Sequence, residues 1–145
     1  MTLRELSQLY YLEKEIDENQ RHLEKLRQKG VGSPEISGMP HGSGSTTGPT
    51  ERLAVELTDL EAIISAQRIQ AIHEEARLRR FIADIPWSRT RLIFTYRFID
   101  MLSWSGVASA MGPPNTAESV RKLCYRYLKE TSIETDADDE AFLHE

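Results

Sequence analysis

A chain of 145 residues has room for one compact domain and an extended element, and 39% hydrophobic residues allow only a modest core. A net charge of −5 excludes a surface coated in positive charge, so any contact with nucleic acid must be local. The single cysteine excludes an internal disulfide, and the opening Met-Thr-Leu-Arg-Glu begins no apolar run of a signal peptide or membrane span. The expectation is a soluble cytoplasmic protein with no membrane partner.

Residues 3–28 predict a long amphipathic helix, the core of an N-terminal element at 1–29. Leu9, Leu12, Ile16, Asn19, Leu23 and Leu26 recur at alternating spacings of three and four, an a/d seam with one polar layer at Asn19. Lys29-Gly30 marks the expected end, with glycine where a left-handed C-cap is wanted. Residues 30–50 then lose all periodicity. Six of the eight glycines fall there with Pro34, Pro40 and Pro49, a composition that predicts a flexible linker.

Helical periodicity resumes at residue 51 and continues to 85, with Leu57, Leu60, Ile64, Gln67, Ala71, Leu78, Phe81 and Ile85 as its seam. At ~1.5 Å per residue such a helix is ~50 Å long. Folded back on the first helix it gives one antiparallel register: Leu26 with Leu57, Leu23 with Leu60, Asn19 with Ile64, Ile16 with Gln67, Leu12 with Ala71. Asn19 and Gln67 then lie in adjacent layers, within reach of a shared hydrogen bond. The remaining apolar positions (Leu3, Leu6, Tyr10, Ile63, Ile69, Ile72) are surplus to this hairpin and predict burial against a second copy.

Pro86 ends the second helix and Ser88 is suited to cap the next, with Trp87 expected as a packing wedge between arm and head. From 86 to 130 three short helical patterns follow. The first carries Leu92, Ile93, Tyr96, Ile99 and Leu102 on one stripe. Ser103 caps the second, whose Val107, Ala108 and Met111 point inward. Gly112-Pro113-Pro114 stops it, and the third opens at Asn115, with Glu118 placed to reach back and close a capping box. Two short helices joined by a tight breaker, the second one basic, predict a helix-turn-helix.

The charge follows the same division. Residues 86–130 hold seven basic side chains (Arg89, Arg91, Arg97, Arg121, Lys122, Arg126, Lys129) against Asp100, Glu118 and Glu130, a net +4. The tail, 131–145, holds six acidic residues and no lysine or arginine, and is expected to be disordered. A basic head on an acidic chain is the footprint of attraction to phosphates through one face.

The run YRFIDMLSWSGVASAMG…ESVRKLCYRYLK, residues 96–112 and 118–129, resembles the DNA-binding helix-turn-helix in region 4 of bacterial sigma factors. More fully, the chain is similar to small phage regulators of the ArpU type, which join that module to an N-terminal helical segment. With Val120 in register, the resemblance implies that Ala117, Glu118, Ser119 and Lys122 lie over bases and Arg121 at a phosphate. Thr116, Tyr125 and Arg126 complete the expected DNA-contacting set. Glutamate accepts from cytosine and lysine donates to guanine, each worth ~1–3 kcal/mol of discrimination.

Catalysis finds no support in the sequence. His22, His41, His73 and His144 lack metal-ligand spacing, the glycine-rich stretch lacks the GK[ST] ending of a P-loop, and no nucleophile elbow is present. No cofactor is expected. The predicted architecture is all-α: a long antiparallel helical hairpin, coiled-coil-like, followed by a C-terminal helix-turn-helix head. The leading functional expectation is a sequence-specific transcription regulator of phage or prophage type that binds double-stranded DNA as a dimer or larger homo-oligomer. Two alternatives stand beside it: a small-terminase-like protein that marks DNA for packaging, and an interaction module that contacts RNA polymerase without binding DNA.

Overall fold

The computed structural model describes residues 1–31 and 48–131, and is all-α. Residues 32–47 and 132–145 lie outside the described residues, and with them most of the flexible linker expected at 30–50 and of the disordered tail expected at 131–145. Helices α1 (Leu3–Val31) and α2 (Pro49–Ala83) form a long antiparallel pair. The head follows as α3 (Ser88–Phe94), a π-helical turn (Thr95–Ile99), α4 (Trp104–Met111) and α5 (Ala117–Thr131). Both arm helices run slightly beyond their sequence limits. Proline at 49 suits a first helical position, where its missing N–H costs nothing. Gly30 lies inside α1 instead of capping it, and a Cβ there would stand 3.3 Å from Leu53 Cδ2.

The chain divides into two compact units, Lys14–Gln70 and a second comprising Met1–Glu13 with the chain from Ala71 onward. In the first, Ile16, Leu23 and Leu26 of α1 and Ile64 of α2 are buried along the expected seam, while Leu57 and Leu60 are half-buried. Asn19 Nδ2 donates to Gln67 Oε1 at 2.9 Å, the polar layer that the register anticipated. Arg27 with Glu61 at 2.9 Å and Arg68 with Gln20 at 3.1 Å flank the seam. Val55, Ile63 and Ile69 remain exposed on the other side of α2.

In the second unit, Thr2 and Glu5 close a capping box on α1: Thr2 N–H donates to Glu5 Oε2 at 2.7 Å, and Glu5 N–H to Thr2 Oγ1 at 3.2 Å. These bonds, with the Thr2 amide foremost, hold the Glu5 carboxyl below its ordinary range. Leu3 and Leu6 are buried here, so they are not the spare positions the sequence suggested. Leu9, Leu12, Ala71, Leu78, Ile82 and Ile85 extend the same core.

The head's core differs from its predicted stripe. Leu92 is 45% exposed, and the buried positions are Thr90, Ile93, Phe94 and Phe98. Phe94 has no exposed surface and is ringed by Phe81, Phe98 and Tyr127 at centroid distances of 6.1, 5.4 and 5.6 Å. A π turn at Thr95–Ile99 then displaces the later positions of the stripe. Asp100 N–H donates to Thr95 O, five residues back, and the wider turn rotates later side chains away from the 3.6-residue stripe. Trp87 is no wedge: it is 59% exposed, its ring edge-on to Tyr127 at 6.2 Å. Ser88 does not cap α3 either, since Trp87 occupies the cap without a side-chain bond and Ser88 Oγ accepts from Arg91 Nη2.

Candidate nucleic-acid interface

The turn between α4 and α5 is built by hydrogen bonds among its own residues. Ser103 caps α4 by accepting from Gly106 N–H at 3.1 Å, as expected. Glycine at 106 keeps this start compact, because a Cβ there would crowd Leu102 Cβ at 3.3 Å. Trp104, Val107 and Ala108 are buried, and Gly112 leaves the helix at φ +76, a conformation open to a residue without Cβ. Asn115 then folds back, its N–H and Nδ2 both donating to Gly112 O at 3.1 and 2.8 Å.

The cap of α5 is Thr116, not Asn115. Ser119 N–H donates to Thr116 Oγ1 at 3.2 Å and Thr116 N–H to Ser119 Oγ at 2.9 Å, a reciprocal box that replaces the predicted Asn115–Glu118 pair. Glu118 is thereby released from capping and pairs with Lys122 at 2.7 Å, with both side chains 65% exposed. That hydrogen bond holds the Glu118 carboxyl below its ordinary range, and the Lys122 and Arg121 charges reinforce it.

Burial sorts the expected DNA-contacting residues. Val120, Cys124 and Leu128 face the core, where burial pushes the Cys124 thiol pKa far up. Thr116, Glu118, Ser119, Lys122, Arg126 and Lys129 are exposed. Ser119, Lys122, Arg126 and Lys129 follow one another at spacings of three and four, so they form one ridge along α5. Ala117 and Arg121 are half-buried at its flanks. Tyr125, expected outward, instead sets its ring edge-on to buried Trp104 at 5.9 Å, and desolvation raises its phenol pKa to about 12.

The seven cations of the head are not equivalent. Arg97 lies 4.6 Å over the Trp104 ring and donates to Leu102 O, and Arg91 donates to Ile85 O and Ser88 Oγ. Both serve the head's own packing. Arg89 donates to Asn115 Oδ1 at 2.7 Å, which brings an exposed guanidinium from α3 to the N-terminal end of α5. Sequence reasoning did not include Arg89 in the set, and nothing across a separation of 26 positions signals the contact. On the α4–α5 side of the head, positive charge available to a ligand is thus concentrated on α5 and at the turn before it.

No protein-family model, curated protein or solved structure matches the chain. Among the described residues, no three His, Cys, Asp or Glu side chains gather as a metal site, and no helix is long and apolar enough to cross a membrane.

Proposed function

We propose that the head binds double-stranded DNA with α5 in the major groove, and that the chain is a sequence-specific transcription regulator of phage or prophage type. The observation that carries this reading is the exposed ridge Ser119–Lys122–Arg126–Lys129 on a helix whose opposite face is anchored by Val120, Cys124 and Leu128. A helix held on one side and polar-basic on the other can enter a groove about 12 Å wide without exposing its core. Thr116 caps this helix and Ala117, Glu118, Ser119 and Lys122 lie in its first two turns, the part that meets base edges in a helix-turn-helix. The sequence resemblance to sigma region 4 and ArpU-type regulators supports the same assignment.

Fluorescence anisotropy with random and selected duplexes over a salt series tests it. Arg126→Ala should weaken binding to all sequences and lower the salt slope by about 0.9, the value of one phosphate contact. Lys122→Ala should relax preference at one or two base pairs in a selected pool. Absence of DNA retention at low salt would favour the protein-interaction reading, with RNA polymerase as a partner. Exposed Val55, Ile63 and Ile69 support self-association through α2. Mass in solution then separates a dimeric regulator from a ring of the packaging type.

A further inference from the structure

An open groove of about 590 Å³ lies where α2 gives way to α3 and the π turn. Ile82, Ala83, Leu92 and Ile99 supply its apolar lining, with Arg79 and Arg91 beside them. Leu92 is the one large apolar side chain of α3 left substantially uncovered, although its neighbours Ile93 and Phe94 have no exposed surface. The two guanidinium groups are held in place: Arg91 by Ile85 O at 2.6 Å and Ser88 Oγ at 2.8 Å, Arg79 by Glu75 Oε1 at 2.7 Å. An apolar trough edged by two positioned guanidinium groups, Arg79 paired with Glu75 and Arg91 bonded to a carbonyl and a hydroxyl, suits a ligand with bulky apolar side chains and carboxylates that add to those bonds.

The chain itself contains such a segment. Asp136, Asp138, Asp139 and Glu140 directly precede Ala141, Phe142 and Leu143. Its attachment point is favourable. Helix α5 ends at Thr131, and one turn earlier Tyr127 packs edge-on to Trp87, the residue before groove-lining Ser88. The eleven residues from Ser132 to Phe142 reach up to ~36 Å when extended, and ~18 Å as a random chain. A segment tethered so closely has an effective concentration on the order of millimolar, so even weak docking is populated.

We propose that the chain's own C-terminal segment docks in this groove, with Phe142 and Leu143 against Ile82, Leu92 and Ile99, and the preceding carboxylates facing Arg79 and Arg91. This contact is separate from the proposed DNA-binding ridge and is tested without DNA. The full-length chain with Ala83→Cys and Ala141→Cys is oxidised in dilute solution, where fully buried Cys124 stays out of the thiol chemistry. The expected product is an intramolecular disulfide at monomer mass. Phe142→Ser with Leu143→Ser should lower its yield several-fold, and so should Arg79→Glu. A disulfide found only at dimer mass would assign the groove to a second copy and overturn the proposal. A monomer disulfide whose yield ignores all three changes would report tether length alone, and would overturn it equally.

Discussion

The Lys14–Gln70 unit and the head are both helical, yet they close their cores in different ways. The hairpin unit repeats one pattern: a single row of aliphatic side chains on each helix, interrupted by the Asn19–Gln67 bond. Each layer resembles the next, and the polar pair marks the register because a slip would bury two amides without partners. The head has no repeat. It gathers Phe94, Phe98, Tyr127 and Trp104 from four separate segments around a π turn, with Arg97 stacked on the indole. A repeated seam spreads its stability over many equivalent layers, whereas an aromatic cluster concentrates it in a few residues.

That contrast makes graded predictions. The largest effect is expected for Phe94→Ala, which should cost about 3–5 kcal/mol because a fully enclosed ring leaves a cavity the surrounding aromatics cannot fill. Urea unfolding followed by segment-resolved hydrogen exchange should show the loss throughout the head. Ile16→Ala also removes a buried side chain, from the hairpin unit, but should cost only about 2–3 kcal/mol, since a two-helix layer can close up. Equal losses for the two variants would erase the distinction between seam and cluster.

Replacing Asn19 or Gln67 singly by Leu should cost about 1 kcal/mol, because each leaves a partner amide unsatisfied, while the double replacement recovers most of the loss. A double-mutant cycle that returns no coupling would remove the polar layer's role. At the head's surface, Thr116→Ala should cost about 1 kcal/mol and fray the first turn of α5, read by amide exchange. Glu118→Gln should leave that turn intact, since Glu118 bonds Lys122 and not the helix terminus.

The smallest effect near neutral pH belongs to Tyr125. Its folded-state pKa of about 12 lies above the ordinary tyrosine value of about 10. Its contribution to stability is therefore complete below pH ~10 and is lost as pH rises through about 12. Ultraviolet titration should show Tyr125 ionising last, beyond the smaller upward shift that burial gives Tyr127, and Tyr125→Phe should remove that last step.

Periodicity was enough to read the hairpin, because a helix pair needs only a stripe on each partner and the two stripes specify one register. Ile16, Leu23, Leu26 and Ile64 are buried as the spacing required, and the Asn19–Gln67 bond followed from the same count. The breaker at Gly112 and the Ser103 cap were equally legible, since both act within a few residues. The sequence by itself thus determined the all-α architecture, the antiparallel pairing of the long helices with its Asn19–Gln67 bond, and the inward Val107 and Ala108 of α4. Met111, expected inward with them, is half-buried. Contacts that cross the chain were decided only by the tertiary structure. Leu3 and Leu6 looked spare because their neighbours are not visible in a linear pattern. The stripe of α3 runs through Thr90, Ile93 and Phe94 and leaves Leu92 outside, because Phe81 and Tyr127, distant in sequence, close around Phe94. Thr116 took the cap from Asn115 because Asn115 was drawn into bonds with Gly112 and Arg89. Tyr125 turned inward because a buried indole offered more contact than water. In each case a local preference of about 1 kcal/mol yielded to packing or hydrogen bonding worth more, from partners far away in sequence.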